Sequence, residues 1–171
     1  MSGTPIRPGA FFFLVTVALV GAGAATALVL AGEPLVAGAA LALAVGFLTV
    51  ARTRAPRSRR LVLVEATAER VVEAALLGAI AWTAVPEQPV LVAATIAALG
   101  ASYLAAYLHV RAVGLGFRLG EAVWLRGTAM LAVAAGLVLG WVQVGLWTVV
   151  VLSAIVLVRE TTAVARQKVA G

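Results

Sequence analysis

Three glutamates, Glu65, Glu69 and Glu73, recur at a spacing of four in the stretch ARTRAPRSRRLVLVEATAERVVE, which runs from Ala51 to Glu73. On a helix that spacing lines them along one face. Five arginines, Arg52, Arg54, Arg57, Arg59 and Arg60, lie just before them. Carboxylates in this setting can ligate a hard cation, accept a proton or pair with guanidinium groups. One metal held by Glu65, Glu69 and Glu73 is geometrically conceivable, although carboxylates on a single helix point along a line rather than converge as coordination requires. Ion pairing with Arg52, Arg54, Arg111 and Arg126, in a lattice that ties neighbouring helices together, is the competing account.

The elements around these residues belong to a membrane. The chain has 171 residues, of which 63% are hydrophobic and 12% charged, far from the composition of a soluble domain. Apolar runs long enough to cross a hydrocarbon core are expected at about residues 10–31, 35–51, 61–85, 90–108, 122–140 and 144–158. The expected fold is therefore all-α, a polytopic six-transmembrane-helix bundle forming a single domain over residues 1–171. Charged carboxylates at mid-bilayer cost on the order of 3 kcal/mol each. The glutamate face must accordingly lie near the boundary or be paired.

Orientation follows from the basic residues, which are held on the cytoplasmic side of short loops. All 13 lysines and arginines fall on one side of the six-span arrangement, whereas the opposite loops carry Glu33 and Glu87. Both termini are thus expected in the cytoplasm of a multi-pass cell-membrane protein, with the net charge of +6 facing anionic lipid headgroups. Nucleic acid is not an expected partner, because the basic groups sit on loops without a soluble domain.

Several chemistries are excluded by composition. The chain has no cysteine and one histidine, so thiol chemistry, disulfides and multi-histidine zinc sites are ruled out. His109 is expected near the membrane boundary at the end of helix 4. Aspartate is absent. Gly114 to Gly120 imitates a dinucleotide fingerprint, but its last spacing is wrong and no strand precedes it. The tryptophans and tyrosines mostly fall near span ends, as interfacial anchors do.

The segment EATAERVVEAALLGAIAW, together with Ala51-Arg52 upstream and SY followed by RAVGLG downstream, resembles the CDP-alcohol phosphotransferase (CDP-alcohol phosphatidyltransferase) family. That family's motif reads Asp-x2-Asp-Gly-x2-Ala-Arg, eight or nine residues, then Gly-x3-Asp-x3-Asp. Anchored on Ala51-Arg52, its spacing is kept without a gap, but the aspartates fall at Ala44, Phe47, Glu65 and Glu69 and the glycines at Leu48 and Leu61. The resemblance implies a bundle that makes phospholipids from a CDP-linked lipid, with three aspartates holding two divalent metals and the fourth acting as base. Glu69 would hold the base position, and Glu65 that of a metal ligand if a metal is retained. Arg52, Arg111, Arg118 and Arg126 would be ligand-binding.

The substitutions shift the expected activity. Neither alanine nor phenylalanine supplies an oxygen to Mg2+ or Mn2+, and the two-metal clamp that stabilises charge during transfer needs both helices. The leading expectation is a degenerate, catalytically inactive or altered member with no cofactor, whose basic cavity binds a CDP-linked lipid or another anionic headgroup. A structural or regulatory subunit that dimerises with an active membrane enzyme is the second expectation, and the chain is expected as a homodimer or a heterodimer. The third is an active phosphatidyltransferase with a rearranged Mg2+ or Mn2+ site.

Overall fold

The computed structural model describes residues 7–54, 59–85, 87–117 and 123–167; the side chains at 8, 59–62, 65 and 123–126 lie outside the description. Six helices account for nearly all of it: α1 (Pro8–Leu30), α2 (Pro34–Arg54), α3 (Arg59–Ala84), α4 (Pro89–Gly114), α5 (Val123–Leu139) and α6 (Val142–Arg166). The all-α class expected from the sequence is what the chain forms. Prolines open α1, α2 and α4, where a missing N–H costs no helical hydrogen bond. Gly32 and Gly140 close the α1–α2 and α5–α6 turns at φ 79° and 73°, a region that side chains with a Cβ rarely adopt.

Four helices, α1, α2, α4 and α6, are long and apolar enough to cross a membrane. The apolar part of α5 is shorter, Gly127–Leu139, and α3 interrupts its apolar face with Glu65, Glu69, Arg70 and Glu73. The chain is a membrane protein on this evidence. The helices outrun the expected spans most at two places. α4 continues past Leu108 to Gly114, and α6 continues past Val158 to Arg166, because backbone hydrogen bonding persists where side chains turn polar.

Neighbour relations define the architecture. The substantial packing pairs are α1 with α2, α2 with α5, α5 with α6, α6 with α4, α4 with α3, and α3 with α1. These pairs close a ring. Consecutive helices α2 and α3 meet only slightly, while α3 and α5 stand on opposite sides of the ring. The principal core inside it includes Leu41, Leu76, Leu77, Val133, Leu146 and Val149, all fully buried.

Small residues set the close approaches. A Cβ on Gly38 would lie 2.6 Å from the Ala134 carbonyl oxygen, and one on Gly145 would lie 2.7 Å from that of Ala132. Backbones of α2 and α6 therefore rest directly on α5, the packing that glycine permits between helices in lipid. Along α4 and α6 the buried positions keep one register. Ala94, Thr95, Ala98 and Ala105 on α4 correspond to Gly145, Leu146, Val149 and Val156 on α6 with the offset of 51 residues that also separates the bonded pair His109 and Glu160.

Candidate functional site

Charge gathers inside the ring at one end. Arg52 leaves the last turn of α2, and its Nη2 lies 2.9 Å from Oε2 of Glu69 on α3. The bridge crosses the place where α2 and α3 hardly pack. Glu69 is 7% exposed and Glu73, one turn on, is 2% exposed. Buried carboxylates of this kind require a compensating cation. Glu69 has two within reach, since Nη2 of Arg70 stands 3.9 Å from the same Oε2. Arg70 also pairs with Glu73 and donates from Nη1 to Ser102 Oγ on α4 at 2.8 Å.

Two crevices flank these carboxylates. The first, of about 470 Å³ including its open mouth, is lined from α1, α2, α3 and α5, with Ala44, Leu48, Thr49, Arg52, Glu69 and Val72 among its walls. Its surface is mostly apolar. Arg52 and Glu69 are its charged groups, and the Thr49 hydroxyl on the same wall donates back to the Val45 carbonyl at 2.8 Å. The second, of about 420 Å³, lies between α3, α4, α5 and α6 and is more polar, with Arg70, Glu73, Ser102 and Ser153 on its walls. Glu69 and Met130 line both. They reach from opposite sides of the ring, α3 and α5, and form the septum between the two spaces.

The residues singled out from sequence divide accordingly. Ala44, Leu48, Arg52 and Glu69 share the first crevice, and Glu73 lines the second. Phe47 does not join them. It is 39% exposed and absent from both linings, because on α2 it lies beside Ala44 on the side away from Leu48, Thr49 and Arg52, at the edge of the crevice face. Arg111 is exposed at the end of α4 and lines neither crevice. Glu65 and Leu61 belong to α3 and Arg126 to α5, their side chains outside the described residues. Arg57 and Arg118 lie outside the described residues altogether.

Other residues at this end are given no role in a site by the sequence. Arg70 and Ser102 complete the charge network, and the Tyr103 hydroxyl donates to the Arg70 carbonyl at 3.1 Å. On the α4–α6 seam, His109 Nδ1 lies 2.7 Å from Glu160 Oε1. Glu160 is 3% exposed, and its Oε2 has no hydrogen-bond partner among the described residues. The continuation Ala163-Val164-Ala165 was the available signal that α6 runs on past Glu160 and buries it.

No protein-family model matches the chain, and no curated protein matches it in sequence. In three dimensions it is similar to Mycobacterium tuberculosis phosphatidylinositol phosphate synthase, whose crystal structure has CDP-DAG bound. The two superimpose with a TM-score of 0.72 at 21% identity, over 92% of this chain and 85% of that one. At that identity the likeness establishes the fold alone: the six-helix ring is the fold of that synthase.

Proposed function

We propose that this chain is a six-span membrane protein of CDP-alcohol phosphotransferase lineage, with both termini cytoplasmic, that holds a lipid-linked nucleotide or a similar anionic headgroup without the lineage's two-metal transfer. The observation that carries the reading is the Arg52–Glu69 bridge, 2.9 Å long, on a crevice wall that presents Ala44 and Leu48 where the resembled motif has aspartate and glycine. The neighbour's bound CDP-DAG supports the ligand class.

Among the described residues the donor set does not fit two divalent metals. α2 contributes a methyl group at Ala44, Phe47 turns away from the crevice, and Glu69 spends an oxygen on Arg52. Hard cations need several converging oxygens. What the walls offer instead is a guanidinium held in place by a carboxylate, beside apolar side chains. A fixed guanidinium suits a phosphate oxygen, which it can grip through two N–H groups. Ala18, Val45, Leu48 and Val72 suit the hydrocarbon next to the headgroup. Glu69 orients Arg52 and sets the charge of the wall.

The test uses purified protein in lipid nanodiscs. CDP-diacylglycerol should raise the unfolding temperature more than diacylglycerol does, with or without Mg2+, and Arg52→Ala should abolish the difference. Metal-dependent release of CMP, lost in Glu69→Gln, would overturn the non-transferring part of the reading. Indifference to CDP-diacylglycerol would overturn the ligand.

A further inference from the structure

Arg70 occupies a cage of oxygen donors. Its guanidinium pairs with Glu73, stands 3.9 Å from Glu69 Oε2, donates to Ser102 Oγ at 2.8 Å and lies 5.6 Å from the centroid of the Tyr103 ring. Ser153 of α6 lines the same crevice. Two carboxylates from α3 and a hydroxyl from α4, with a second hydroxyl on the α6 wall, are oxygen donors of the type that hard cations select. The cation at its centre is covalently part of the chain. We propose that Arg70 is a tethered cation that does for Glu69 and Glu73 what a bound metal ion would do, so that the second crevice keeps its charge balance whatever the divalent-ion supply.

The surroundings fit a resident guanidinium. Two nearly buried carboxylates one turn apart repel each other and are expensive to bury without a cation between or beside them. A planar fork can reach Glu73 and Ser102 while its face lies toward an aromatic ring. The Tyr103 hydroxyl fixes the helix at this turn by donating to the Arg70 carbonyl at 3.1 Å, which limits how far the side chain can swing. Arg70 thereby joins α3 to α4 through the same contacts that neutralise the cage. The inference concerns the second crevice and needs no headgroup in the first.

Thermal unfolding of the full chain in nanodiscs, without any nucleotide lipid, tests it. Arg70→Ala should lower the unfolding temperature, and millimolar methylguanidinium or Mg2+ should restore much of the loss while leaving the wild-type protein unmoved. Adding Glu73→Gln to Arg70→Ala should remove the response to both cations. A wild-type response to Mg2+ as large as the variant's, no response in the variant, or a response that survives Glu73→Gln would each overturn the proposal. If Arg70→Ala cannot be purified, Arg70→Lys and Arg70→Gln replace it: recovery of the lysine variant alone supports a tethered cation, and equal behaviour of the two overturns it. Because no headgroup ligand is present, failure here and failure of the ligand reading are separate results.

Discussion

The charged end of α2 and α3 and the α4–α6 seam both bury a carboxylate, but they compensate it differently. Glu69 has two arginines within 4 Å, Arg52 at 2.9 Å and Arg70 at 3.9 Å. Glu160 has a single described partner, His109 at 2.7 Å, and one oxygen without a hydrogen bond. A shared carboxylate tolerates the loss of one cation, because the other remains beside it. A carboxylate with one partner in an apolar seam has no such reserve. Redundancy belongs where a ligand is to enter and draw an arginine away, whereas a single tie belongs where two helices are to stay together.

The largest effect expected from this contrast is at the seam. His109→Ala removes the hydrogen bond to Glu160 and leaves both oxygens of a carboxylate that is 3% exposed without a described partner. Leaving such a group unsatisfied costs about 1–3 kcal/mol. Chemical or thermal unfolding in micelles should show that loss, and His109→Ala with Glu160→Leu should recover most of it, since removing both partners of a buried pair is far milder than removing one. If the double variant is no more stable than His109→Ala alone, the pair is not what the seam depends on.

Arg52→Ala should cost less in stability, about 1 kcal/mol, because Arg70 remains beside Glu69. Its effect on CDP-diacylglycerol binding should be larger, tenfold or more, corresponding to about 1.4 kcal/mol. Unfolding and titration of the same preparation separate the two. An Arg52→Ala protein as unstable as His109→Ala would mean that Arg70 does not act as the reserve.

The contrast also explains what the sequence made legible. Each of the six apolar runs falls on a helix, and four of those helices are long and apolar enough to cross a membrane, since lipid demands continuous apolar length and an internally bonded backbone. The Arg52–Glu69 bridge could be anticipated, since opposite charges near one membrane boundary have few other partners. The ends of α4 and α6 could not, as hydropathy fades at Leu108 and Val158 while the helices continue to Gly114 and Arg166. His109 therefore read as an end residue, and Glu160 went unremarked. The septum was hidden for another reason. Glu69 and Met130 come to line the same two crevices only once α3 and α5 are set across a ring from each other, a relation that no local pattern carries. Arg70 lies inside the acidic stretch, yet in the sequence it reads like one more topology-setting arginine, because spacing alone does not reveal that it pairs with the carboxylates.

Phe47 supplies the smallest expected effect and a sharp test of the first crevice. The motif register places Phe47 where a metal ligand would stand, which suggests a side chain plugging the site. Its 39% exposure and its absence from the lining argue otherwise: the ring faces outward, and Ala44 and Leu48 form the wall. Phe47→Ala should then change headgroup binding by no more than about twofold, or about 0.4 kcal/mol, in the same titration that reports on Arg52. Ala44→Leu offers the contrast, because Ala44 is a crevice residue and a larger side chain there narrows the space a ligand needs. A Phe47→Ala protein that binds CDP-diacylglycerol tenfold more tightly would mean that the ring does occupy the ligand's place, and the wall formed by Ala44 and Leu48 would no longer define the site.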